Sequence, residues 1–303
     1  MKRLRGTFIL LFFACSTSYA DRPAATEATT SPPSAERPFA VRVEGRGPPM
    51  LLLPGLQSSG EVWSDLVARY RDRYTLYVVT VAGFAGVAPQ EEFSIGGLRD
   101  ALLKYVRDEQ LLRPVIVGHS LGAVTAYAMG VVASPAELRA IVAVDGLPFL
   151  PALINSASTA DSMRAEARRL EALYASMSPD QLAALSEQSL SRMISAPEMR
   201  KRVVGWARAS DARTSGRAVA EALTTDLRSD VGRIRAPVLI VGAAKFAAGN
   251  DAHLAGLTRA YAAQVASIPQ HELVMAHKAL HFVMLDDPTF LFDRLDRFLE
   301  DHP

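Results

Sequence analysis

The sequence predicts an α/β protein: a mostly parallel central sheet with helices on both faces and a helical segment inserted at its edge. Three observations carry this. Apolar strand-like runs alternate with helix-periodic segments over residues 41–144, the signature of parallel strands joined by crossover helices. The alternation stops over 147–230, a stretch with no convincing strand, and resumes at 237–241. Residues 114–122 read Pro-Val-Ile-Val-Gly-His-Ser-Leu-Gly, a β-branched run leading into a turn and then a helix.

Taken in order, 41–43 alternates as a half-exposed strand. Runs 50–53 and 76–81 are continuously apolar, as strands buried on both faces are. Between them, 61–71 carries Val62, Leu66, Val67 and Tyr70 at helical spacing. Ile95–Asp108 repeats the pattern with Leu98, Leu102, Tyr105 and Val106. The Val115 strand, a helix from Ala123 to Gly130 and a strand over 141–144 follow. Within the strandless stretch, helices are expected around 163–174, 179–195, 198–209 and 215–225. Pro179 and Pro197 sit near two of their starts, where a missing N–H costs little. The remainder reads as strand 237–241, helix 254–265, strand 273–276 and helix 288–299.

Composition sets the outer limits. The chain has 303 residues, 49% hydrophobic and 21% charged, which is ample for a large core. A net charge of +1 implies no basic surface, so nucleic acid is not an expected partner. At the N-terminus, Lys2, Arg3 and Arg5 precede an apolar run from Phe8 to Ala14, and Ser18-Tyr19-Ala20 is a small-x-small site. Residues 1–20 are therefore expected to be a signal peptide cleaved near Ala20, which makes the protein exported, periplasmic or secreted. The alternative is an uncleaved anchor. The apolar run is too short for a stable membrane span. Loss of the three basic residues takes the net charge from +1 to −2. Cys15 is the one cysteine, so the mature chain has neither a disulfide nor a thiol nucleophile. Acylation of Cys15 is a second fate for that residue. Residues 21–37, rich in Ala, Thr, Ser and Pro, are expected to be a disordered linker.

No tandem repeat, zinc spacing, Walker motif or dinucleotide glycine pattern is visible. His277 and His281 are four apart but follow a strand and lack an HExxH glutamate. No metal and no cofactor is expected; a small molecule is the expected substrate, and nothing sets an oligomeric state.

Gly118-His119-Ser120-Leu121-Gly122 fits G-x-S-x-G in strand–turn–helix context, which makes it a nucleophile elbow. The glycines suit a turn in which backbone approaches backbone and a Cβ would clash. Leu51-Leu52-Leu53-Pro54-Gly55, His281-Phe282 and Asp287-Pro288 stand at matching places along the chain. With these pieces the chain resembles an α/β-hydrolase-fold serine hydrolase from Phe39 to Leu299. The resemblance implies a core of residues 38–146 and 231–303 and a helical cap of 147–230. It also implies a hydrolytic site with Ser120 as nucleophile and His281 as base, His277 being the spare.

The acid is where the sequence departs from the family. Most relatives carry it a few residues past the glycine that ends the strand matching 237–241. Here Gly242 is followed by Ala243, Ala244, Lys245 and Phe246. Two substitutes stand open. Asp145 ends the strand after the elbow helix, as in certain haloalkane dehalogenases, and also suits a turn before Gly146. Asp251 lies in the later loop and also suits a helix start. Asp145 is favoured. The oxyanion hole is expected from the backbone N–H groups of Leu56 and Leu121.

The implied activity is hydrolysis of a carboxylic ester with a small or medium apolar acyl group, through a Ser-His-Asp triad and an acyl-enzyme. Amide, lactone and C–C bond hydrolysis stay open within the fold, as does a non-catalytic ligand-binding member. Dehalogenase and epoxide hydrolase chemistry is disfavoured, because those enzymes use Asp at the Ser120 position. Met163, Met177, Met193, Met199 and Trp206 are candidates to line an adaptable pocket, or else to pack helices.

Overall fold

The computed structural model describes residues 26–34 and 37–303. The expected signal segment, with Cys15 and its cleavage site, lies outside the described residues. Eight strands form one sheet: β1 (Thr26–Ser31), β2 (Phe39–Gly45), β3 (Pro49–Leu53), β4 (Thr75–Val81), β5 (Val115–His119), β6 (Ala140–Val144), β7 (Val238–Ala243) and β8 (His271–Ala276). Their order is β1-β2-β4-β3-β5-β6-β7-β8. β1–β2 and β2–β4 pair antiparallel, and every later neighbour pair is parallel. The fold is the α/β-hydrolase fold.

The helices are α1 (Ser64–Tyr70), α2 (Ile95–Asp108), α3 (Leu121–Val132), α4 (Pro151–Ile154), α5 (Ala160–Ala175), α6 (Pro179–Leu190), α7 (Pro197–Arg208), α8 (Ala212–Thr224), α9 (Asp251–Val265), α10 (Val283–Asp286) and α11 (Pro288–Asp301). Two findings differ from expectation. The short α4 breaks no visible pattern in the sequence and was not anticipated. Thr26–Ser31, expected within the disordered linker, adds to the open edge of β2, with Ser31 opposite Val41. Main-chain pairing along an edge needs no apolar burial, and Thr29 and Thr30 are indeed exposed. A composition argument based on burial misses such a strand.

The strands alternate their side chains between two core layers, as the period of two requires. Leu51, Leu53, Ile116, Ile141 and Ile240 pack under α2, α3 and α9. Met50, Leu52, Val117, Val142 and Val241 pack against α1 and α11 through Leu66, Tyr70, Leu291 and Phe298. β5 and β6 are buried on both faces along their whole length. Each fully buried large aliphatic or aromatic side chain contributes about 1.5–3 kcal/mol. This double layer holds the strand ends as a rigid platform. α3 is apolar all round and buried from Leu121 to Val131, so the elbow sits on a helix that solvent does not reach.

Between β6 and β7 the chain forms five helices and no strand. Their starts are written in the sequence. Thr159 and Ser178 each make a capping box with the residue three positions on, Asp211 caps α8, and Pro179 and Pro197 begin α6 and α7. α5 packs along α8 and α6 along α7. Among the described residues no helix is long and apolar enough to cross a membrane.

Candidate active site

The site is assembled where the parallel strands end. β5 runs directly into Ser120, whose φ of 53° and ψ of −116° force the sharp turn into α3. Such a conformation costs a non-glycine residue about 1–3 kcal/mol and persists only where its surroundings fix it. Here they do. Ser120 N–H donates to the Val144 carbonyl at 3.0 Å, and its own carbonyl accepts from Ala123 N–H at 2.9 Å. The two motif glycines are sterically required. A Cβ on Gly118 would lie 2.3 Å from the Gly122 oxygen, and one on Gly122 would lie 2.3 Å from the Leu53 oxygen. The result is a half-buried Ser120 side chain at the floor of a pocket.

Beyond β8, the loop before α10 brings His281 to the same pocket. Its Nδ1 lies 2.5 Å from Oδ2 of Asp145, the residue that ends β6. The carboxylate is an acceptor, so Nδ1 carries the proton and donates, which leaves Nε2 as the basic nitrogen. Asp145 is itself held on three sides. Its Oδ1 accepts from the Tyr261 hydroxyl at 2.6 Å and from Ala243 N–H at 2.6 Å, and its own N–H donates to the Val241 carbonyl at 2.8 Å. Burial pushes the Asp145 carboxyl up. The hydrogen bond and charge of His281, with those from Tyr261 and Ala243, overcome burial and hold it below the usual carboxylate range. Tyr261 is pushed far above the ordinary phenol value by burial and by the Asp145 charge, so it stays a neutral donor.

The acid missing after Gly242 is thereby explained. The end of β7 contributes a backbone donor in place of a carboxylate, and the side chain of Tyr261 fills the space beside it. A Cβ on Gly242 would come within 2.9 Å of the Tyr261 ring. Asp251 is exposed at the first turn of α9, which Asn250 caps, and is not brought to the site. His277 is exposed on the turn after β8.

His119, inside the elbow, packs behind His281. Its ring lies 4.6 Å, centroid to centroid, from both His281 and Phe282. Burial and the neighbouring His281 drive its pKa well below the normal value, so it is neutral. Its Nε2, 3.1 Å from the His281 carbonyl, is the protonated nitrogen. Nδ1 is buried with no hydrogen-bond partner among the described residues.

Leu121 N–H opens α3, and Leu56 N–H lies in the turn after β3. Leu56 and Ser120 line one pocket. Among the described residues nothing accepts a hydrogen bond from either N–H. Gln57, with φ of 56°, is buried beside this turn. Its carboxamide donates to Ser215 on α8 at 3.1 Å and accepts from Ser186 on α6 at 3.2 Å. No local pattern along the chain marks this tie between the turn and the helices above it.

Those helices wall the pocket, a cavity of about 180 Å³. Tyr174, Leu185, Leu190, Met193, Val203 and Phe282 make it apolar, and Gln57, Ser186 and Ser189 add neutral polar groups. Among the described residues no lysine, arginine or carboxylate lines it. Of the proposed methionine and tryptophan lining, Met193 alone faces the cavity; Met199 and Trp206 pack against the core instead. Among the described residues no cluster of His, Cys, Asp and Glu could hold a metal ion.

A strand–elbow–helix with its histidine beyond the last strand defines the class of protein. The chain belongs to the alpha/beta hydrolase family, whose sequence model matches residues 50–294. It is 32% identical over 114 residues to the 2-(acetamidomethylene)succinate hydrolase of Mesorhizobium japonicum, a match spanning 36% of this chain and 40% of that protein. A hydrolase structure from Pseudomonas aeruginosa superposes with a TM-score of 0.72 at 17% identity, covering 90% of this chain and 98% of that one. A thermophilic esterase from Thermogutta terrifontis gives a TM-score of 0.68 at 16% identity, covering 92% and 100%.

Proposed function

We propose that the protein is an exported serine hydrolase that cleaves carboxylic esters of small or medium apolar acids through Ser120, His281 and Asp145. The observation that carries this reading is the 2.5 Å contact from His281 Nδ1 to Asp145 Oδ2 beside a pocket that also presents Ser120. Ser120 Oγ attacks the ester carbonyl while His281 Nε2 takes its proton. The C–O bond to the alcohol then breaks, and His281 returns the proton to the leaving oxygen. Water, deprotonated by the same nitrogen, releases the acid. Leu56 and Leu121 N–H stabilise the oxyanion of both tetrahedral intermediates. Asp145 keeps the imidazole in the tautomer that has Nε2 free.

The pocket supports the substrate class. A 150 Å³ apolar cavity accommodates benzene, so about 180 Å³ suits an acyl group of roughly six carbons. An anionic acid would be desolvated there with no cation among the described residues of the lining to pair with. The Thermogutta terrifontis esterase of the same fold supports ester chemistry, whereas the name of the Mesorhizobium japonicum relative refers to a succinate. Purified protein is expected to hydrolyse p-nitrophenyl acetate and butyrate and to be labelled by a fluorophosphonate, with both lost in Ser120→Ala. Absence of turnover together with absence of labelling in the wild type would sink the reading.

A further inference from the structure

His281 sits on a loop, yet its role demands a position fixed to a fraction of an ångström. Both of its chain neighbours are tied, and the ties converge on one short segment between α6 and α7. On the near side, Leu280 N–H donates to Oδ2 of Asp286 at 2.9 Å. The same carboxylate accepts from Ser195 N–H at 2.9 Å and from the Ser195 hydroxyl at 2.7 Å. On the far side, Phe282 N–H donates to the Met193 carbonyl at 3.2 Å. Lys245 Nζ, from the loop after β7, reaches the Ser195 oxygen at 2.7 Å. Ile194, between Met193 and Ser195, is buried in the core layer that also takes Phe282. Met193 faces the substrate pocket.

We propose that Asp286 is a positioning residue that fastens the His281 loop to residues 193–195, so that one pocket wall and the catalytic base move as a single piece. The inference rests on the serine-hydrolase reading of the site. Its consequence is that an acyl group seated against Met193 bears on the loop that carries His281. Specificity then appears in kcat as well as in KM.

Asp286→Asn is close to isosteric and tests this directly. Whichever way the amide is turned, its NH2 faces a backbone N–H, that of Leu280 or that of Ser195, and one tie is lost. The expected result is a fall in kcat for p-nitrophenyl butyrate of about 10- to 100-fold. KM should stay within about twofold, and circular dichroism should be unchanged. Proton NMR should show weakening of the low-field resonance of the His281–Asp145 hydrogen bond, a signal that needs no turnover. Ser195→Ala removes only the hydroxyl and is expected to lose severalfold in kcat; it decides the question if Asp286→Asn does not fold. A folded Asp286→Asn, or failing that Ser195→Ala, with wild-type kcat and an unchanged low-field resonance overturns the proposal. A wild type without esterase turnover sinks the ester reading alone, and the resonance still decides the role of Asp286.

Discussion

At Asp145 a single carboxylate meets three donors, the His281 ring, the Tyr261 hydroxyl and the Ala243 backbone N–H. Asp145→Asn is expected to lower kcat by roughly 10⁴-fold, because the amide cannot hold the His281 tautomer. Asp251→Asn should leave the rate unchanged, since that residue is exposed on α9 away from the pocket. Steady-state kinetics on both variants checks the pair. Tyr261→Phe keeps the buried ring and deletes the 2.6 Å hydrogen bond. A charge-assisted bond of about 1.5 kcal/mol corresponds to about a tenfold loss in kcat/KM. An unchanged rate would show that Ala243 N–H and His281 suffice to hold the acid.

At the level of elements, α6 and the segment after it line the pocket through Leu185, Ser186, Ser189, Leu190 and Met193. Leu185 is a half-buried pocket residue on α6. Leu185→Ala is expected to move the preference toward longer acyl esters, and Met193→Trp toward acetate. Relative kcat/KM across a p-nitrophenyl ester series from two to twelve carbons reads this. The elements themselves were largely legible. Ile95–Asp108 matches its sequence periodicity to the residue, because its apolar positions and the Ser94 cap both mark the boundaries. The buried strands were legible from continuous Val and Ile runs. The expected helix at 61–71 is instead a 3₁₀ turn at Gly60–Trp63 followed by α1, since Ser59 caps Glu61 and closes a tighter first turn. Ser120 and His281 could be singled out as candidates because local motifs surround them. Tyr261 and Asp286 could not, and neither could the tie from Gln57 to Ser186 and Ser215. Each acts across more than 85 residues of sequence or at a contact that side-chain packing alone creates, and no local pattern encodes that distance.

Taken whole, the molecule is a rigid sheet with its chemistry at one rim, and its response to acid follows. The Asp145 carboxyl is held below its ordinary value in the folded state. Its contribution to stability is therefore present above the unfolded carboxyl value of about 3.9 and is lost as pH falls through the folded one. The urea midpoint of the wild type is expected to exceed that of Asp145→Asn at neutral pH and to approach it below about pH 4. The proposed export is a separate matter, since it rests on residues 1–20, which lie outside the described residues. Expression in a bacterium with an intact secretion system should yield a mature protein beginning at Asp21, which mass spectrometry of the periplasmic fraction checks. A full-length N-terminus would argue for an anchor.

Placing the proposed acid at the end of β6 has an effect on the loop after β7. Residues 248–250 lead into α9 outside the proposed proton path, and a Cβ on Gly249 would meet open space. Phe246 beside it is more than half exposed. Such a loop is free to diverge in length while the proton path stays intact, so it is the natural insertion point for a fused domain or a surface tether.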